Sequence, residues 1–84
     1  MNYQDQISKL EGLQETVSQL LTIAHNTSMD TRAERTLFLN LDLAIDETLD
    51  AMYNQVKAMH DVGLMNALNF EEWDEIIATL RQKN

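Results

Sequence analysis

Residues 31–62 read TRAERTLFLNLDLAIDETLDAMYNQVKAMHDV and place apolar side chains on two sides of one predicted helix. At about 100° per residue, most of the apolar positions share one broad stripe. The members of that stripe are Ala33, Leu37, Leu41, Ala44, Ile45, Leu49, Met52, Val56 and Met59. Leu39 and Leu43 fall on the opposite side, among acidic residues. Because a helix in a small monomer needs only one buried face, the second patch predicts a partner protein or a second copy of the chain.

The segment before this helix is also amphipathic, and a single apolar stripe predicts a first helix over residues 4–25. Gly12 lies inside it and either marks a close approach of two helices or is simply tolerated there. The sequence Thr31-Arg32-Ala33-Glu34 has the form of a capping box and predicts the start of the second helix, residues 31–62. Gly63 is the expected end, because glycine enters the left-handed conformation without steric cost.

A third helix is predicted over residues 70–82, after a short connector over residues 64–68. Asn69 is its expected N-cap. Leu68 before this cap and Trp73 at the fourth helical position have the spacing of a hydrophobic staple.

These patterns predict an all-α, three-helix protein that forms a single domain, residues 1–84. No useful length alternates with period two, so strands are not expected. The simplest architecture is an antiparallel hairpin of the first helix and the long second helix, with the short third helix folded back over the end that the first leaves uncovered. A chain of 84 residues with no cysteine buries a modest core and has no disulfide to support it. We therefore expect two copies to associate through their second helices as a helical bundle.

The charge balance narrows the class of partner. The chain carries 14 acidic and 6 basic residues, a net charge of −8. This charge disfavours direct binding to nucleic acid or to an anionic membrane, both of which attract basic surfaces. A protein with a basic surface is the more natural partner. With no cysteine, no signal-peptide pattern at the N-terminus and no apolar run long enough to span a membrane, a cytoplasmic location is expected.

The sequence contains no pattern typical of an enzyme, a cofactor site or a metal site. Asp42, Asp46 and Asp50 repeat every four residues, but no histidine stands at the spacing that carboxylate metal sites in helical bundles use. A solvated acidic face is the favoured interpretation. Nucleophile motifs and glycine-rich phosphate loops are also absent. We therefore expect a non-enzymatic protein that needs no cofactor.

The leucine pair is the main candidate for a binding site, since two exposed leucines next to each other on a helix offer a compact apolar contact. Burying both would contribute roughly 3–5 kcal/mol before ordering costs. The predicted partner-binding residues are Leu39, Leu43, Asp42, Asp46, Glu47, Asp50 and Tyr53. Among them, the two leucines and the aspartates that border them have no predicted role within the chain. The expected function is that of a small acidic adaptor, chaperone or inhibitor of the bacterial or phage type, which forms a homodimer and occludes a surface of its partner.

Two alternatives remain open. In the first, the aspartates mimic the phosphates of a nucleic acid and the protein inhibits a nuclease or a defence complex. In the second, a helical oligomer holds a small anionic molecule such as a nucleotide, which would have to use the bases of the second helix, Arg32, Arg35 and Lys57.

Overall fold

The structure, a computed structural model, describes residues 2–83. It contains three α-helices, α1 (Tyr3–Asn26), α2 (Arg32–Asp61) and α3 (Ala67–Gln82). No strand occurs in these described residues. The prediction of an all-α protein with three helices is therefore confirmed, and the bounds of α1 and α2 lie within one residue of the predicted ones.

The start of α2 is a complete capping box, as predicted. The hydroxyl of Thr31 accepts a hydrogen bond from the backbone N–H of Glu34 at 3.1 Å. The carboxylate of Glu34 accepts one in return from the backbone N–H of Thr31 at 3.0 Å. Two N–H groups that have no partner inside the helix are satisfied in this way.

This cap makes stability depend on pH. Hydrogen bonding from the Thr31 side chain, and then from the Ser28 side chain, lowers the pKa of Glu34 below its ordinary value. A carboxyl group whose pKa is lowered by folding adds stability above its unfolded-state pKa and loses that stability as the pH falls through the folded-state value. We expect Glu34→Gln to remove this contribution. Melting curves from about pH 7 to about pH 2 should show a smaller acid-induced loss for the variant than for the wild type; equal losses would contradict the assignment.

The end of α2 is a Schellman motif built on Gly63, whose φ is 79°. The N–H of Gly63 donates to the carbonyl of His60 at 3.1 Å, and the N–H of Leu64 donates to the carbonyl of Met59 at 2.9 Å. Both bonds satisfy carbonyl groups at the end of the helix. The predicted stop at Gly63 is confirmed.

The predicted start of α3 is wrong by one helical turn. The N-cap is Asn66, whose side chain accepts from the backbone N–H of Asn69 at 2.8 Å. Asn69 therefore lies inside the helix, and Leu68 is a helical residue that is 64% exposed, so it is not half of a staple with Trp73. The two staple positions around Asn66 are held by Met65 and Phe70, and both belong to the hydrophobic core.

The core joins all three helices and includes Met65 of the connector between α2 and α3. Its buried members are Leu10, Val17, Leu21, Ala24, Ile45, Leu49, Met52, Val56, Met59, Met65, Ile77 and Leu80. Near the start of α1, the Gln6 side-chain oxygen accepts a hydrogen bond from the Gln55 amide of α2. At the far end, an imidazole N–H of His25 donates to the carbonyl of Lys83 at 3.0 Å, which ties the ends of α1 and α3 together.

The apolar stripe of α2 is buried over a shorter length than predicted. Its buried members begin at Ile45, while Leu41 and Ala44 are half-buried. Ala33 and Leu37 are exposed, Leu37 at 48%. The contacts of Arg81, in the last turn of α3, reach back along α2 as far as Asp46. The N-terminal part of α2 therefore lies beyond the ion pairs that α3 forms with it. Without α3 beside it, this part of α2 keeps more of its surface exposed.

Candidate protein-binding surface

Leu39 and Leu43, called here the leucine strip, are both exposed to solvent at 60%. They lie one turn apart on the N-terminal half of α2, so their side chains are neighbours on one face. Large apolar side chains exposed singly are ordinary on a protein surface. Two adjacent leucines on one helix form a small continuous apolar area, and a second helix can pack along such an area.

The acidic residues around the leucine strip divide into two groups. Asp46 and Asp50 form ion pairs with Arg81 of α3, at 3.5 Å and 2.7 Å. Asp42 is half-buried and Glu47 is exposed, and neither forms an ion pair within residues 2–83. The expectation that these acids have no role within the chain is therefore wrong for Asp46 and Asp50, because the last turn of α3 brings a guanidinium group to them.

Tyr53 does not join the leucine strip. It lies about 15 Å beyond Leu43 along the axis of α2. Its side chain lines an open groove between α2 and α3, of about 540 Å³, together with Asp50, Asn54, Asp74, Ile77, Ala78 and Arg81. The predicted site therefore consists of two parts, the leucine strip and the Tyr53 groove, with the Arg81 ion pairs between them.

The basic residues of α2 do not converge on one point. Arg35 donates to the carbonyl groups of Met29 at 3.2 Å and Asp30 at 3.4 Å, so its guanidinium group closes the loop between α1 and α2. Arg32 and Lys57 are exposed and stand about 37 Å apart along the helix. Within one copy of the chain, these three side chains do not form a site for an anion.

Two open grooves between the helices are also poorly suited to a phosphate group. The Tyr53 groove contains Asp50 and Asp74 beside Arg81. A second groove, of about 550 Å³ between α1 and α3, contains Glu72 and Glu75 beside Lys83. In each groove the carboxylates outnumber the bases, so the local field repels an anionic ligand.

Residues 2–83 contain no group of three or more His, Asp or Glu side chains that could hold a metal ion. In the same residues, no helix has the length and apolar character needed to cross a bilayer.

Comparison with known proteins finds no matching protein family, no similar curated protein and no similar solved structure.

Proposed function

We propose that this chain is a non-enzymatic protein-binding module, an adaptor, chaperone or inhibitor, that acts by covering a surface of another protein. The observation that carries the proposal is the leucine strip, two adjacent leucines that are each 60% exposed on the half of α2 beyond the ion pairs of Arg81. Apolar surface of this kind gains free energy when another protein removes it from water.

The charges describe the partner. With a net charge of −8, the chain attracts basic surfaces over distances of about a Debye length. Asp42 and Glu47 flank the leucine strip without an ion pair in the described chain, so they are placed to steer such a partner into contact. The complementary surface has an apolar centre and a basic border. We place this interaction in the cytoplasm, where a chain without cysteine has no disulfide to lose.

Self-association through α2 is part of the proposal. Two observations favour it. The core of one copy is small, so burial of further apolar surface against a second copy would add stability. The leucine strip also lies on the outer side of α2, where a second copy can reach it. Within each copy, α1 and α2 form an antiparallel hairpin. The hydrogen bond between Gln6, near the start of α1, and Gln55, in the second half of α2, supports this arrangement.

The two alternatives have less support. A nucleic-acid mimic needs a row of acids that carry their full negative charge, whereas Arg81 of the same chain neutralises part of the charge of Asp46 and Asp50. An affinity that stays unchanged between low and high salt would remove this alternative. A nucleotide binder needs a cluster of bases, and Arg32, Arg35 and Lys57 are dispersed along α2.

The double substitution Leu39→Asp and Leu43→Asp tests the proposed function. We expect it to abolish protein binding, because it places two charges in the centre of the apolar contact. The measurements are sedimentation equilibrium of the purified chain and capture of proteins from a bacterial lysate, with wild type and variant compared at equal concentration.

Leu68→Asp is the matched control, because Leu68 is exposed at 64% but lies in the first turn of α3, away from the strip. It should leave binding unchanged. If the double variant folds and retains every interaction of the wild type, the leucine strip is not a binding surface and the proposed function is wrong.

A further inference from the structure

We infer that the leucine strip is covered by the same strip of a second copy, with the two α2 helices antiparallel and Arg32 of each copy opposite Asp50 of the other. This inference rests on the proposed function, since it takes the strip to be a protein contact. It adds the identity of the partner, the direction of pairing and the register.

The spacing of residues on the outer side of α2 supplies the seam. Steps of four and three residues repeat along this face, the spacing by which two helices pack along each other. The seam positions are Arg32, Thr36, Leu39, Leu43, Asp46 and Asp50. All of them are exposed, so no other part of the described chain buries this face.

The charges on the seam are arranged asymmetrically around the leucine strip. Arg32 lies on its N-terminal side, with Arg35 nearby. Asp46 and Asp50 lie on its C-terminal side, with Glu47 nearby. The seam is therefore basic on the N-terminal side of the leucine strip and acidic on its C-terminal side.

This asymmetry determines the direction of pairing. In a two-fold symmetric contact, if one residue meets a second, the second meets the first in return. An antiparallel pair centred level with Leu41 brings Leu39 of each copy onto Leu43 of the other, and Arg32 onto Asp50. A parallel pair in register would instead place Asp46 on Asp46 and Asp50 on Asp50. Like charges across an interface disfavour association, so the antiparallel pair is selected.

The ion pair of Asp50 with Arg81 leaves room for this contact. Asp50 accepts one hydrogen bond from Arg81 at 2.7 Å, and its side chain is 68% exposed. A carboxylate has two oxygens that together accept several hydrogen bonds. Arg32 of the second copy would therefore add to a small cluster in which two guanidinium groups share the two aspartates.

Disulfide trapping tests the register directly, because the chain contains no cysteine of its own. Thr36→Cys and Asp46→Cys are made as separate variants, and both leave the leucine strip and the Arg32–Asp50 pair intact. In the antiparallel pair, position 36 of one copy faces position 46 of the other, while two copies of position 36 are about 15 Å apart along the axis. That separation is well beyond disulfide reach. We therefore expect mixed oxidation to link the first variant to the second, with little linkage of either variant to itself.

A charge substitution provides the second measurement. Arg32→Glu should weaken the dimer about tenfold in sedimentation equilibrium, since two symmetric contacts change from attraction to repulsion. Lys57→Glu makes the same change in net charge on the same helix, but Lys57 lies seven residues beyond Asp50 and therefore past the length over which the two α2 helices pair, so it should weaken the dimer less.

The outcomes separate the two proposals. Preferential linkage of position 36 to itself, equal effects of the two charge variants, or a chain that remains monomeric up to about millimolar concentration would overturn the inferred pairing. The binding of a different protein, which is the central part of the proposed function, would survive each of these results if the leucine-strip variant still lost its capture of that protein; a chain that stays monomeric would remove self-association from the proposed function. A folded Leu39→Asp, Leu43→Asp variant that keeps the wild-type dimer would overturn the inferred pairing, and one that keeps both the dimer and every other captured protein would overturn both proposals.

Discussion

Leu49→Ala is expected to lower the free energy of unfolding by about 2–5 kcal/mol. The Leu49 side chain is completely buried, at 0% exposure, in the core that α1, α2 and α3 share. Truncation removes apolar contacts and leaves a cavity that the surrounding helices close only in part. For a chain of 84 residues, whose total stability is about 4–13 kcal/mol at the usual value per residue, this is a large fraction.

The measurement is urea unfolding followed by circular dichroism, at one protein concentration because association adds to apparent stability. Leu68→Ala is the matched control, since it is the same substitution at a residue that is 64% exposed. It should change the stability by no more than about 0.5 kcal/mol. Equal small effects of the two substitutions would show that Leu49 is not in a packed core in solution.

Local signals predicted the ends of α2 well. Thr31 and Glu34 have complementary hydrogen-bonding groups three residues apart, and the geometry of the first turn is enough to pair them. Gly63 ends the helix through its own backbone freedom. Neither feature depends on the rest of the fold, which is why the sequence alone predicted both.

The start of α3 was predicted wrongly because the sequence offers two similar caps. Asn66 and Asn69 are both good N-cap residues, and each is followed by apolar residues at helical spacing. The choice is made by tertiary packing. With the cap at Asn66, Met65 and Phe70 both pack into the core, and α3 gains one turn at its N-terminus.

The candidate site was predicted in part. Leu39 and Leu43 are exposed as the helical period requires, because they lie opposite the buried stripe. The exposure of Leu37 and the ion pairs of Arg81 depend on where the last turn of α3 lies along α2. Periodicity describes the faces of one helix and contains no information about how far a neighbouring helix extends, so these features required the structure.

The two glycines of the chain provide the second large effect, since the same substitution is expected to act in opposite directions. Gly63→Ala should destabilise the protein by about 1–2 kcal/mol, because its φ of 79° is strained for a residue with a Cβ atom. Gly12→Ala should stabilise it by up to about 1 kcal/mol, because Gly12 lies inside α1, where alanine is the better helix former.

Sterics do not explain this difference. A Cβ atom added at either position meets nothing within 4 Å, so Gly12 marks no close approach of helices and is simply tolerated. Backbone conformation alone therefore sets the sign. Gly63→Asn should fall between glycine and alanine, since asparagine tolerates the left-handed conformation better than alanine. Urea midpoints of the three variants measure the order, and a neutral or stabilising Gly63→Ala would mean that the Schellman motif does not persist in solution.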